Sequence, residues 1–104
     1  MDISNHWYPD NKCLKLADLG LGSREILNGL MPFIMQNRDI KLLDLANNYI
    51  SSDGITLLCN FLVEKEIQLE YLDISGSALD YHSVTALGAY VYSNQSLQHL
   101  KLRG

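Results

Sequence analysis

Two pairs of residues in this chain have side chains that could do chemistry if the fold brought them together. Cys13 and His99 are of the types that form a thiolate nucleophile and its general base. Asp44 and Asp73 are a pair of carboxylates of the kind used in general acid–base catalysis. Cys13 and Cys59 lie 46 positions apart, which matches no metal-ligand spacing, and the chain contains no phosphate-binding loop. Whether either pair can react depends on the elements that hold it.

The composition is that of one small globular domain. The chain has 104 residues, of which 47% are hydrophobic and 19% charged, which excludes a disordered, collagen-like or disulfide-rich chain. Twelve acidic and eight basic residues give a net charge of −4, and the basic residues are scattered, so a nucleic-acid partner is disfavoured. No apolar run has the length of a membrane span, and the first residues do not have the pattern of a signal peptide. We therefore expect a cytoplasmic protein with reduced thiols and no membrane partner.

An internal repeat organises the chain. Apolar residues recur four times in the same frame, with a period of 28 to 29 residues. The positions are Leu14, Leu16 and Leu21; Ile40, Leu43, Leu45 and Ile50; Leu69, Leu72, Ile74 and Leu79; and Leu97, Leu100 and Leu102. The Leu-x-Leu alternation predicts a short strand with one buried face. Asn48 follows the second strand, where its amide can satisfy backbone groups in the bend, and Leu19 and Ser77 occupy the equivalent positions.

This pattern, L-x-x-L-x-L-x-x-N-x-L, resembles the leucine-rich repeat, and its period and helical second half are similar to the ribonuclease-inhibitor-like class. The resemblance covers about residues 11–104 and implies an α/β fold. The implied fold is a right-handed solenoid with about four parallel strands on its concave face and three helices on its convex face. The expected single domain, 1–104, has an N-terminal cap (1–11), repeats near 11–39, 40–68 and 69–96, and a partial repeat (97–104). Each strand–helix unit has one face to bury, so neighbouring units must stack.

A helix is expected after each complete strand. We predict helix N-caps at Ser23, Ser52 and Asp80. The residues expected on the buried helix faces are Leu27, Leu30 and Ile34, then Ile55, Leu58 and Leu62, then Val84, Leu87 and Val91. Pro32 should end or kink the first helix, because it lacks an N–H and clashes with the preceding turn. Cys59 falls among the core residues of the second helix, where we expect an inert thiol.

The residues beside the strand leucines are expected on the concave face, where equivalent positions form rows about 4.8 Å apart. One row is Lys15, Asp44, Asp73 and Lys101, and another is Cys13, Leu42, Tyr71 and His99. Further rows are Ala17, Ala46, Ser75 and Arg103, then Asp18, Asn47, Gly76 and Gly104, with Tyr49 at the rim.

These rows argue against catalysis. Cys13 and His99 would be three strands apart, about 14 Å, which is beyond any hydrogen bond. Asp44 and Asp73 would be adjacent, but on an open surface without a cleft to desolvate them. We therefore expect no catalytic residue, no metal, no cofactor and no small-molecule substrate.

The concave face is better suited to binding another folded protein, because it combines small residues with amphipathic ones. The predicted partner-binding residues are Lys15, Leu42, Asp44, Asn47, Tyr49, Tyr71, Asp73, Ser75, His99 and Lys101. Exposed ion pairs are expected between Lys15 and Asp44 and between Asp73 and Lys101. A partner's arginine or lysine between the two aspartates would meet both carboxylates near Tyr71.

The resemblance implies further possibilities for function. Similar solenoids often act as inhibitors that cover the active site of an enzyme, or as recognition domains. Small proteins of this kind also occur among effectors that intracellular bacteria deliver into host cells.

The two ends of the repeat array require separate explanations. Trp7, Tyr8 and Pro9 match no repeat and are expected to cover the first one.

The last strand, from Leu100 onward, has an unpaired edge, which is a site of unwanted pairing. Three explanations stay open: the chain is part of a longer protein, Lys101 and Arg103 protect the edge, or something docks there. The alternative function is therefore a structural or self-associating unit of a longer repeat protein, and Tyr81, Tyr90 and Tyr92 could be core residues or could cover this end.

Overall fold

The computed structural model describes residues 2–103 and shows an α/β chain with one sheet of five strands in sequence order. The strands are β1 (Trp7–Tyr8), β2 (Cys13–Lys15), β3 (Leu42–Asp44), β4 (Tyr71–Asp73) and β5 (His99–Lys101). Strands β2 to β5 are parallel, as predicted, whereas β1 pairs antiparallel with β2 and was not predicted. Met1 lies outside the described residues, as does Gly104, which falls in a predicted row and in the predicted partial repeat. The limits of the individual repeats stay a prediction.

Helical segments connect the parallel strands. The bounds are α1 (Ser23–Glu25), a π-helical turn (Ile26–Leu30), α2 (Met31–Gln36), α3 (Ser52–Glu64) and α4 (Tyr81–Ser93), and a 3₁₀ turn (Ile3–His6) precedes β1. The first three segments are continuous, so of the two predicted effects Pro32 does not end the first helix, whereas a local distortion of it is found. The chain departs from α geometry just before Pro32, where the Met31 N–H donates to the Ile26 carbonyl oxygen.

The core lies between the sheet and the helices. The central residues of β2, β3 and β4, which are Leu14, Leu43 and Leu72, have no exposed surface. They belong to the same apolar cluster as the buried residues of the helices, as the repeat predicted. Burial of each such leucine contributes about 2 kcal/mol.

The predicted helix faces are correct for α3 and partly wrong elsewhere. Ile55, Leu58 and Leu62 are fully buried. In the first helical segment Leu27 is exposed, because Ile26, Leu30 and Ile34 share the buried face at intervals of four residues. In α4, Leu87 is buried, but Val84 and Val91 are exposed and Tyr90 takes a core position. The buried side of α4 faces α3, and within residues 2–103 no helix covers its other side.

One predicted N-cap is correct and two are displaced by one residue. Asp80 caps α4, since its carboxylate accepts a hydrogen bond from the Ser83 N–H at 2.9 Å. The α3 cap is Ser51 rather than Ser52, and its hydroxyl accepts from the Gly54 N–H at 3.2 Å. The cap of α1 is Gly22 rather than Ser23. The Ser23 hydroxyl instead bonds the Ser51 hydroxyl at 2.8 Å and so links two successive helix starts.

Asn48 joins the first two bends through its buried side-chain amide. The Oδ1 atom accepts from the backbone N–H groups of Leu19 and Leu21, at 3.1 and 3.0 Å. The Nδ2 atom donates to the carbonyl oxygens of Leu16 and Leu45, at 2.8 and 3.0 Å. The predicted role of the asparagine is confirmed, and the bonds to Leu16, Leu19 and Leu21 show that it acts between units as well as within its own bend.

Ser77 occupies the same place one unit later and does not reproduce these bonds. Its buried hydroxyl has no hydrogen-bond partner among the described residues. A buried hydroxyl without a partner destabilises the folded state, so the bend after β4 is the weaker of the two.

Tyr90 and Asn94 fasten the end of α4 to the chain just before β4. The buried Tyr90 hydroxyl donates to the Ile67 carbonyl oxygen at 2.8 Å and accepts from the Leu69 N–H at 3.0 Å. The Asn94 amide donates to that hydroxyl and to the Leu69 carbonyl oxygen, at 2.8 and 2.9 Å. Tyr90 is therefore a core residue, whereas Tyr81 and Tyr92 are exposed.

The unpaired hydroxyl of Ser77 leads to a first prediction. Replacing Ser77 with Asn should raise the free energy of unfolding by about 1–2 kcal/mol, because the new amide can bond backbone groups of both bends as Asn48 does. Asn48→Ser should lower it by about 2–3 kcal/mol, since several buried backbone groups lose a partner. Urea unfolding followed by circular dichroism measures both changes. Ser77→Ala is the control: it removes the unpaired hydroxyl without adding an amide, so it should raise stability by less than Ser77→Asn does. A destabilising Ser77→Asn would contradict the equivalence of the two bends.

The buried titratable groups lead to a second prediction. Burial raises the pKa of the Cys59 thiol and of the Tyr90 hydroxyl to about 12 in each case, above their ordinary values of 9.0 and 10.0. Above those ordinary values the unfolded chain loses protons that the folded chain keeps. Stability should therefore be complete below pH 9 and fall as the pH rises toward 12, by up to about 1.4 kcal/mol per pH unit for each group.

Urea unfolding at a series of pH values measures this loss, and Tyr90→Phe is the matched variant. The variant should be less stable at neutral pH by about 1–3 kcal/mol, because two backbone groups lose their partner. Its stability should then decline less steeply above pH 10. An unchanged slope would show that Tyr90 ionises equally easily in both states.

Candidate partner-binding face

The parallel strands carry one exposed face, which we call the open face. In each strand the central leucine points into the core, so the residues on either side point the opposite way. The open face is formed by Cys13, Lys15, Leu42, Asp44, Tyr71, Asp73, His99 and Lys101.

The strand register confirms two predicted rows on this face. Lys15 pairs with Asp44, Asp44 with Asp73, and Asp73 with Lys101. The second row contains Cys13, Leu42, Tyr71 and His99 in the same order. Cys13 and His99 are thus separated by three strand spacings, about 14 Å, and cannot act as a nucleophile and its base.

Each aspartate in the first row fixes the bend that follows its strand. Asp44 accepts a hydrogen bond from the Ala46 N–H at 3.0 Å, and Asp73 accepts from the Ser75 N–H at 2.9 Å. One oxygen of each carboxylate is used in this way. Within residues 2–103, no hydrogen bond is made to the second oxygen of either carboxylate.

Asp73 is more buried than the sequence predicted. Only 8% of its surface is exposed, although it was expected on an open surface outside the core. The segment after β5 runs alongside the bend that follows β4. There the Arg103 N–H donates to the Ser75 hydroxyl at 3.2 Å, and the Gly76 N–H donates to the Arg103 carbonyl oxygen at 2.6 Å.

The ion pairs expected in this row are not formed. The salt bridges found within residues 2–103 are Lys12–Asp39, Lys41–Glu70 and Lys65–Glu64, so Asp44 and Asp73 have no lysine at salt-bridge distance. Lys15 and Lys101 instead place their ammonium groups over the rings of Tyr8 and Tyr71, each at 5.4 Å from the ring centroid. Exposed ion pairs contribute little, and a nearby aromatic ring competes with them.

Tyr71 is the centre of an aromatic cluster on the open face. Its ring lies 6.0 Å from that of His99, centroid to centroid, at an interplanar angle of 51°. The Lys101 ammonium group, from the same neighbouring strand β5, lies over the Tyr71 ring, 5.4 Å from its centroid. The expected cation site on Tyr71 is therefore already occupied by a lysine of this chain.

The rim beyond the strands is set by a repeated backbone turn. Asp18, Asn47 and Gly76 are equivalent residues, and all three have positive φ values, of 61°, 59° and 86°. Aspartate, asparagine and glycine are the types that tolerate this region best, which is a signal that the sequence analysis did not use. Asn47 is exposed there, and Tyr49 next to it exposes 80% of its surface.

Two shallow depressions lie along the open face. The larger, about 710 Å³, lies at the carboxyl ends of the strands and is lined by Asp73, Ser75, Lys101 and Arg103 among others. The smaller, about 250 Å³, lies at the amino ends between Cys13, Leu42, Tyr71 and His99. Arg103, Lys41 and Glu70 also line them and were not among the predicted site residues.

Two features often linked to function are not found in the described part of the chain. Residues 2–103 contain no group of three His, Cys, Asp or Glu side chains placed to hold a metal ion. No helix in the same range has the length and apolar character needed to cross a membrane.

Comparison with known proteins places the chain near proteins with leucine-rich repeats. No protein-family model matches it. It is 30% identical over 69 residues to mouse NACHT, LRR and PYD domains-containing protein 9B, which covers 66% of this chain and 7% of that protein. NACHT, LRR and PYD domains-containing protein 3 is 29% identical over 96 residues in cattle and 30% over 89 residues in rat, covering 88% and 86% of this chain.

The chain spans less than a tenth of the length of these relatives, 7% to 9%. The similarity suggests a leucine-rich-repeat-containing family at most, and with it a protein-interaction module. The particular site residues named from the sequence stay a prediction.

The two cysteines lead to a third prediction. Both are free, with Cys13 half-buried on the open face and Cys59 buried in α3. In the native protein a thiol reagent should therefore modify one cysteine per chain quickly and the second at least about 100-fold more slowly, because burial raises the pKa of the Cys59 thiol to about 12. Unfolding in denaturant without reductant should release both thiols. Equal rates in the native protein would contradict the burial of Cys59, and Cys13→Ser identifies the fast site.

Proposed function

We propose that this chain is a right-handed leucine-rich-repeat solenoid whose concave, open face binds another folded protein. The observation that carries the proposal is the pair Asp44 and Asp73. They lie side by side on adjacent strands, each with one oxygen that bonds no described residue and with no lysine at salt-bridge distance. Two such acceptors on adjacent strands, whose backbones lie about 4.8 Å apart, form a site for a guanidinium or ammonium group.

The partner that fits this site presents a basic side chain on a protrusion. Its charged group meets the two carboxylates, and its apolar part packs on Tyr71 and Leu42. Since Lys101 already covers the Tyr71 ring, the tyrosine contributes contact area rather than a cation site. Aromatic side chains in such positions are often hot spots of protein interfaces.

A more specific version of this proposal is that the protein inhibits an enzyme. A protein that covers the active site of an enzyme needs a broad face without chemistry of its own, and the open face has that character. We therefore propose a regulator that is not itself an enzyme and takes no cofactor. A net charge of −4 favours a protein partner over a nucleic acid, and the cytoplasm, either of the producing cell or of a host that receives an effector, is the proposed location.

A fourth prediction tests the face directly, with capture from the native source to identify the bound protein. Tyr71→Ala should weaken binding by about 2 kcal/mol or more, if the tyrosine is a hot spot. Asp44→Asn should slow association and reduce its dependence on salt, because it removes one charge. Asp44 is preferable to Asp73 for this purpose, since Asp73 is 8% exposed. Surface plasmon resonance measures both rates.

Leu57→Ala, at an exposed position of α3, is the control and should bind as the wild type does. Loss of activity of a captured enzyme in a one-to-one complex would support inhibition. If Tyr71→Ala and Asp44→Asn both bind like the wild type, the open face is not the binding surface.

A further inference from the structure

The open face carries two parallel rows of different chemistry. On the amino side of the strand centres the equivalent residues are mostly apolar or aromatic, in the order Cys13, Leu42, Tyr71 and His99. On the carboxyl side they are charged, in the order Lys15, Asp44, Asp73 and Lys101. Because the members of the two rows are two residues apart on each strand, the rows run about 7 Å apart. A ligand that spans both rows therefore needs an apolar side and a charged side.

Tyr8 extends the apolar row by one strand. β1 pairs antiparallel with β2 and places Tyr8 opposite Cys13. Its neighbour Trp7 points the opposite way and packs against Phe33 and the core. Tyr8 itself adjoins the open face, is 51% exposed, and lies beneath the Lys15 ammonium group at 5.4 Å. The strand that covers the first repeat thus also supplies an aromatic side chain to the surface proposed for binding.

The middle of both rows lies in the interior of the sheet. β2, β3 and β4 each have a hydrogen-bonded neighbour on either edge. Lys15, Asp44 and Asp73 therefore keep their places in the charged row whatever adjoins β5. A further strand that paired with β5 would lengthen the rows at that end rather than cover them.

The charged row has a definite order of sign. It is positive, negative, negative and positive over four strands about 4.8 Å apart. Among the described residues, none of its four members forms a salt bridge. A complementary ligand therefore has the order negative, positive, positive and negative, at about 0, 4.8, 9.6 and 14.4 Å along the row.

An α-helix matches this spacing, whereas an extended strand does not. With a rise of about 1.5 Å per residue, helix positions i, i+3, i+7 and i+10 lie at about 0, 4.5, 10.5 and 15 Å, within an arc of about 80°. Each position falls within about 1 Å of one strand of the row. In an extended segment the residues on one side recur about every 6.7 Å, so the second of them falls between two strands.

We infer that the partner of the open face presents an α-helix that lies across the strands, with acidic side chains at i and i+10 and basic side chains at i+3 and i+7. The inference rests on the proposed function and specifies its protrusion, with one basic residue for each aspartate. The residue above Asp73 is an arginine, because that carboxylate is only 8% exposed and lines the larger depression, which requires a long side chain. Binding of an amphipathic helix is a common mode of recognition.

The same geometry sets the apolar side of the partner helix. Positions i+1, i+4 and i+8 form a stripe next to the charged one. This stripe lies above the apolar row, where Leu42 and Tyr71 are half-buried and Tyr8 is exposed. Aromatic side chains in such places are often hot spots, so the apolar contacts supply most of the affinity. The charges then set the register of the helix on the sheet.

Two peptides of identical composition test the inference by fluorescence anisotropy. Both are helical, about 20 residues long and rich in alanine, with leucine at i+1, i+4 and i+8. The matching peptide has Glu, Arg, Arg and Glu at i, i+3, i+7 and i+10, and the inverted peptide has Arg, Glu, Glu and Arg. At low ionic strength the matching peptide should bind at least about tenfold more tightly, and salt should reduce the difference. Equal affinities, a preference for the inverted peptide, or no binding of either at about 1 mM protein would overturn the inference.

Variants of the chain locate the helix on the two rows. Asp44→Asn keeps the acceptor that bonds the Ala46 N–H but removes a charge, so the preference for the matching peptide should fall at least about threefold. Glu64→Gln, the same change at an exposed position of α3, is the control and should leave the preference unchanged. Tyr8→Ala should weaken binding of the matching peptide at least about threefold, whereas Tyr8→Phe should not. A preference that Asp44→Asn leaves intact would show that the peptide binds elsewhere, which also overturns the inference.

The same variants separate failure of this inference from failure of the proposed function. If the captured partner loses affinity for Asp44→Asn while the two peptides bind alike, the open face is the binding surface but the helix is wrong. If the captured partner binds both Asp44→Asn and Tyr71→Ala as it binds the wild type, the proposed function is wrong.

Discussion

The structure depends on the one-sided burial of its strands. Leu14, Leu43 and Leu72 are completely buried, but each unit supplies only one layer of strand and one of helix to cover them. A unit alone cannot shield its leucine, so its stability comes from the next unit in the stack. The parallel register follows, because only equivalent positions bring leucine next to leucine. The pairing of equivalent leucines also aligns the residues beside them. The same constraint therefore determines which side chains form each row of the open face.

Asn48 shows how a polar group can reinforce this stacking. Its amide is buried, yet each polar atom bonds backbone groups of the bends it joins. A buried amide costs free energy unless it is fully bonded, so it also fixes the spacing of the two bends. Ser77 shows the other case, since its hydroxyl has no partner among the described residues. The stack is therefore tight between its first two units and looser toward β5.

The parallel strands were predictable because the same apolar pattern occurs four times with nearly the same period. Four matching frames leave little freedom in how the strands pair. Local details were less predictable. A serine pair at 51 and 52 offers two possible caps, and only the geometry of the first turn chooses Ser51. The buried side of α4 could not be inferred from apolar residues alone, because Tyr90 is bonded into the core while Val84 is exposed. In the candidate site the rows followed from the period, but the directions of Lys15 and Lys101 depended on Tyr8 and Tyr71, each of which lies on the neighbouring strand.

The exposed apolar strip on α4 is the counterpart of the strip that α3 buries, and its composition matters. At these positions α4 has Val84, Gly88 and Val91, 29 residues after Ile55, Cys59 and Leu62 of α3. The opposite end differs, since β1 and Trp7 close it. Burial of a given repeat position thus depends on the next unit: Ile55 and Leu62 are buried in α3, which α4 contacts, whereas Val84 and Val91 are exposed in α4, where no further helix is found within residues 2–103.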